Sequence, residues 1–76
     1  MKLIHKMKLS TLKRKARLIT TVPDDVVVCG YRLYRLQYAE VPTPEYWIVW
    51  GNNRTPYRLR PGTEDQYVPR QELAAQ

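Results

Sequence analysis

Tyr46-Trp47-Ile48-Val49-Trp50-Gly51-Asn52-Asn53-Arg54-Thr55-Pro56-Tyr57-Arg58-Leu59-Arg60 is the stretch that decides the fold. Tyr46 to Trp50 is an unbroken run of aromatic and β-branched residues, the composition of a strand. Gly51-Asn52-Asn53-Arg54 follows with residues that tolerate positive φ, which suits a hairpin loop. Pro56 to Arg60 then returns with alternating side chains, Tyr57 and Leu59 facing in, Arg58 and Arg60 facing out. Pro56 lacks an amide donor and belongs at a strand start or a sheet edge.

Working outward from this hairpin, Val26 to Val41 predicts a long strand before it, and Pro42-Thr43-Pro44 breaks the chain between the two. The alternation in that strand changes phase. Val27, Cys29, Tyr31 and Leu33 share one face, while Tyr34, Leu36 and Tyr38 share the other. A bulge near Gly30 or Leu33 would bring all of them onto one apolar face. A short helix from Tyr31 to Tyr38 is the alternative. Upstream, Leu9, Leu12, Ala16 and Ile19 recur at helical spacing after a candidate N-cap at Ser10. They predict a helix over 10–20, ended before Val22-Pro23, with Pro23-Asp24-Asp25 as a turn. In residues 1–9, Leu3, His5, Met7 and Leu9 alternate with Lys2, Ile4, Lys6 and Lys8, and the segment reads as a basic arm or a lysine-blunted edge strand. Downstream, Pro61-Gly62 is a turn, Tyr67-Val68 a candidate last strand, and 69–76 a helical turn with a frayed tail.

The expected fold is therefore α+β: a short N-terminal basic helix packed on a small antiparallel β meander of three to four strands (26–68), barrel-like if strongly bent. It forms one small domain over 1–76. Val27, Leu33, Ile48 and Leu59 are expected in the core, with Leu12, Ala16 and Ile19 packed over them.

Charge is unevenly placed along the 76 residues. Lys and Arg number 13 against seven acids, a formal net charge of +6. Seven of the 13 lie in residues 1–20, where there is no acid at all; residues 21–76 carry six Arg and seven acids. A basic arm on a near-neutral body suggests a polyanionic partner, although a solvated helix face would carry the same residues. Cys29 is the sole cysteine, so an intrachain disulfide is excluded and a buried, inert thiol is expected. A lone His5 and a lone cysteine supply no metal-ligand cluster, and no cofactor is expected. No apolar run is long enough to span a membrane. Lys2, Lys6 and Lys8 interrupt any signal-like segment, which points to the cytoplasm and makes Asn53-Arg54-Thr55 a loop rather than a glycosylation site.

The aromatic content is six Tyr, two Trp and no Phe, and arginines interleave with the rings. Tyr and Trp suit half-wet positions, and Arg binds phosphate bidentately or stacks on flat rings. The leading expectation is a nucleic-acid-binding module for RNA or single-stranded DNA. Lys13, Arg14, Lys15 and Arg17 on the helix would hold phosphates, and Arg32, Tyr34, Arg35, Arg54, Tyr57, Arg58 and Arg60 would form the binding surface of the sheet. The alternative partner is an acidic protein surface, met by Tyr, Trp and Arg anchors such as Trp47 and Trp50 or by an edge strand. An enzyme is not expected. The surviving catalytic alternative is a small metal-independent ribonuclease with His5 as general acid or base.

Overall fold

A computed structural model describes residues 7–23, 25–26, 30–51 and 54–74. The element order is α1 (Leu9–Lys15), β1 (Arg17–Val22), β2 (Tyr31–Leu36), β3 (Glu45–Trp50), β4 (Tyr57–Arg58), a 3-10 turn (Glu64–Gln66) and α2 (Arg70–Ala74). The four strands make one antiparallel sheet in the order β1-β2-β3-β4. The α+β class and the antiparallel meander are as expected. The sheet is open, with β1 and β4 as its edges, rather than closed into a barrel.

Three elements differ from expectation, each for a physical reason. The first helix stops at Lys15, because Ala16 turns to extended backbone (φ −108°, ψ 162°). Arg17 to Val22 therefore forms a strand rather than the second half of a helix. Lys8, not Ser10, occupies the N-cap, with no side-chain cap. Second, β2 is six residues long instead of sixteen and has no bulge; its register with β3 runs unbroken from Tyr31↔Trp50 to Leu36↔Glu45. The irregularity lies in β1, between Leu18 and Thr20. Third, Tyr67-Val68 closes the 3-10 turn rather than forming a strand, and β4 is only two residues long.

The phase change in β2 is explained by layering. Both faces of the inner strands are covered, so neither face needs to be polar. On the first face Leu12 of α1 packs with Tyr34, Leu36, Trp47 and Val49, bordered by Met7, Leu9 and Ala16. On the second face Leu33, Tyr46 and Ile48 pack with Val68, bordered by Ile19, Leu59 and Leu73 among others. Leu12 and Ala16 thus cover the face opposite Leu33 and Ile48, whereas Ile19 joins the Leu33 face from β1. Leu33 and Ile48 are buried as expected; Leu59 is half-buried. Val27 and Cys29 lie outside the described residues, as does the arm before Met7.

The C-terminal layer is held by the turn at Pro61-Gly62. Gly62 has φ +93°, the left-handed conformation that position i+2 of a type II turn requires after proline. Its amide donates to Glu64 Oε2 at 2.8 Å, and the Thr63 amide donates to the Arg60 carbonyl at 3.1 Å. The chain is thereby turned under the second face, where Val68 is buried and α2 docks through Leu73. At one end of this face the Tyr31 hydroxyl donates to the Tyr67 carbonyl at 3.2 Å, and Tyr31, Trp50 and Tyr67 meet edge to face with ring centroids 5.5–6.2 Å apart. Desolvation pushes the Tyr31 phenol above its ordinary value of 10.0, and repulsion from Tyr67 adds to the rise.

Candidate nucleic-acid interface

The short helix α1 presents one buried residue, Leu12, to the sheet. Lys13, Arg14 and Lys15 fill its last turn and are exposed. Cations there face the carbonyl end of the helix and stabilise it modestly, by roughly 0.3–1 kcal/mol each at low salt. None of the three is in an ion pair among the described residues. They stand as a free cationic surface on the outer side of the first layer.

The sheet arginines have a different fate. Arg35 Nη1 donates to Glu72 Oε2 of α2 at 3.2 Å, and Arg17 Nη2 lies 3.5 Å from the same oxygen. Arg17 and Arg35 are register partners on β1 and β2, so one carboxylate clamps two neighbouring strands to the C-terminal helix. Arg58 lies 3.6 Å from Glu45 Oε2, while Glu45 Oε1 accepts the indole N–H of Trp47 at 3.0 Å. The exposed members of these pairs contribute little to stability, because solvent screens them. Arg35 is the more enclosed, and its Nε is buried without an acceptor.

The aromatic residues divide in the same way. Tyr34 is only 4% exposed and packs against Leu12 and Trp47, so its ring is core rather than a stacking platform. Trp47 is likewise buried, which removes it as an interface anchor. Tyr57 is 48% exposed on β4 and keeps a ring at the surface. Arg32 is half-buried on the first face, opposite Thr21 and Val49, and Arg60 is exposed beside the Pro61-Gly62 turn.

Arg54 is exposed at the end of the β3–β4 loop, and there the fold adds a neighbour that the sequence does not reveal. Met7, Lys8, Leu9, Arg54 and Thr55 line a shallow concavity of about 560 Å³ between the start of α1 and this loop. Lys8 and Arg54 thus extend the cationic surface of α1 towards the hairpin. Nothing local in the sequence links positions 8 and 54. The pairing of Arg35 with Glu72, 37 residues apart, has no local signal either.

Among the described residues no group of three or more His, Cys, Asp or Glu is placed to hold a metal ion, and no helix is long and apolar enough to cross a membrane. His5 lies outside the described residues. Comparison with family models, with curated proteins and with solved structures finds no match to this chain.

Proposed function

We propose that this chain is a small nucleic-acid-binding module that grips phosphates with α1 and the adjoining hairpin loop. The carrying observation is the free, exposed triad Lys13, Arg14 and Lys15, with Lys8 and Arg54 beside it, in a chain whose Arg17, Arg35 and Arg58 are tied to acids. Such cations bind phosphate without reading sequence. With Tyr34 in the core, stacking is a minor part of this reading and falls to Tyr57. The partner is RNA or single-stranded DNA, and the compartment is the cytoplasm, in line with a sequence that has one cysteine and so no intrachain disulfide.

The test is titration of a labelled single-stranded oligonucleotide at several salt concentrations. The expected result is binding whose logarithm falls linearly with log salt, through counterion release. Replacing Lys13, Arg14 and Lys15 together by Ala should flatten the slope by roughly 0.7–0.9 for every phosphate that is no longer neutralised. No binding at low salt would overturn the proposal.

A further inference from the structure

Four arginines stand in the strands, and three of them reach acids: Arg17 and Arg35 meet Glu72, and Arg58 meets Glu45. Arg32 is the exception. It is half-buried, yet among the described residues it has neither an ion pair nor a side-chain hydrogen bond. A guanidinium that has lost part of its water and gained no acceptor favours a ligand that supplies one.

Its place in the sheet defines what such a ligand meets. Arg32 pairs with Thr21 on β1 and with Val49 on β3, on the first face. Leu12 of α1 covers that face over Tyr34, Leu36, Trp47 and Val49. At the end of the face where β1 finishes and β2 begins lies an open hollow of about 190 Å³, lined by Thr21, Val22, Pro23, Arg32, Val49 and Gly51 among others. No residue of α1 lines it. The hollow is smaller than the roughly 300–1,000 Å³ of a site for a drug-sized ligand. It adjoins the cationic surface, because Gly51 opens the loop that ends at Arg54, within roughly 11 Å along the chain.

Recessed and exposed cations suit different parts of a nucleic acid. Lys8, Lys13, Arg14, Lys15 and Arg54 are exposed and can hold phosphates that keep most of their water. In the hollow a phosphate would shed water beside Val22, Pro23 and Val49 in exchange for one cation. A nucleobase is neutral and sheds less. It can lay its ring against the apolar lining while its edge meets the guanidinium. The forked donor then selects the base. Guanine offers two adjacent acceptors, O6 and N7, that match the fork, whereas adenine sets a donor, N6, beside its N7. Unpaired cytosine has adjacent acceptors too, O2 and N3, but its single ring covers less of the apolar lining than a purine does.

We propose that the hollow at Arg32 is a base-reading site, in which the Arg32 guanidinium donates to O6 and N7 of one guanine in the bound single strand. The site rests on the nucleic-acid reading and deepens it. The cations of α1 grip without regard to sequence, and Arg32 adds a preference for where along the strand the protein sits.

The test uses the full chain and a labelled single-stranded oligothymidylate or oligouridylate, whichever binds more tightly at low salt. One central base is replaced in turn by guanine, adenine or cytosine, and a lone guanine cannot form a quadruplex. The expected result is that the guanine oligonucleotide binds about five- to tenfold more tightly than the other three, the low end of what a bidentate arginine contact provides. A 7-deazaguanine at the same place, with a C–H in place of N7, should lose most of that gain on the unaltered protein. Arg32→Lys keeps the charge and removes the fork, so its guanine preference should fall to near one. The preference is a ratio within one protein, which separates the loss of base reading from a loss of folded chain, and circular dichroism checks the fold directly. Binding that is equal for all four bases, a cytosine or adenine preference, a guanine preference that survives 7-deazaguanine, or one that survives in folded Arg32→Lys would overturn the site and leave the phosphate grip standing. No binding of any oligonucleotide would overturn both.

Discussion

The two layers that cover the sheet handle charge in opposite ways. From Lys8 to Lys15 the first layer has four cations and no acid, and Lys13, Arg14 and Lys15 are left unpaired among the described residues. The C-terminal layer carries Glu64, Asp65 and Glu72. Through Glu72 it takes up Arg17 and Arg35, and Glu64 accepts a backbone amide instead. Arginine on this protein is therefore not one kind of signal. Where an acid is brought across by the fold, arginine fastens layers together; where none is, the cation stays available to a partner.

The largest effect should come from separating the first layer from the sheet. Leu12 is the one fully buried side chain of α1, so Leu12→Ala should cost roughly 2–5 kcal/mol in chemical denaturation. Leu73→Ala, half-buried in the C-terminal layer, should cost less. Equal costs would mean that the two layers are anchored alike.

Next in size is the clamp. Arg35→Ala should lower stability by about 1–2 kcal/mol, as a part-buried, charge-assisted hydrogen bond is removed. It should leave the salt slope of oligonucleotide binding unchanged. The converse variant, Glu72→Gln, keeps the shape and frees Arg17 and Arg35. Stability should drop by about 1 kcal/mol or less, while oligonucleotide binding tightens and its salt slope steepens. A slope that falls in Arg35→Ala would show that this arginine reaches phosphate despite its partner.

The smallest effect concerns pH. The raised Tyr31 phenol favours the neutral form in the folded chain. Its contribution to stability is complete below the unfolded phenol value near 10 and is lost as pH climbs from there through the folded value. Tyr31→Phe should remove this alkaline dependence, measured as melting temperature against pH, and a wild-type curve that is flat above pH about 10 would contradict it.

What is legible in the sequence follows the same division between local and distant causes. The strand at Tyr46–Trp50, the turn at Pro61-Gly62 and the helical turn after Pro69 are set by neighbouring residues, and they stand where the pattern places them. The helix over 10–20 holds only for its first half, because Ile19 falls at helical spacing from Ala16 by coincidence; it is a strand residue on the opposite face. The mixed phase of Leu33, Tyr34 and Leu36 implies a bulge only if one face is covered, and two covering layers remove the need for it. Within the candidate site the exposure of Lys13, Arg14 and Lys15 is readable from the stripe of Leu9, Leu12 and Ala16. The burial of Tyr34 and the capture of Arg35 are not, because each depends on residues far away along the chain, Leu12 for the one and Glu72 for the other.

On the proposed function, the free cations of α1, and not the tied arginines of the sheet, carry binding. The most direct test is the salt dependence of single-stranded oligonucleotide affinity for three chains side by side: wild type, the Lys13, Arg14 and Lys15 triple alanine variant, and Arg35→Ala. The expected outcome is a shallower slope for the triple variant, by roughly 0.7–0.9 for each phosphate released, and the wild-type slope for Arg35→Ala. A triple variant that keeps the wild-type slope while remaining folded would contradict it.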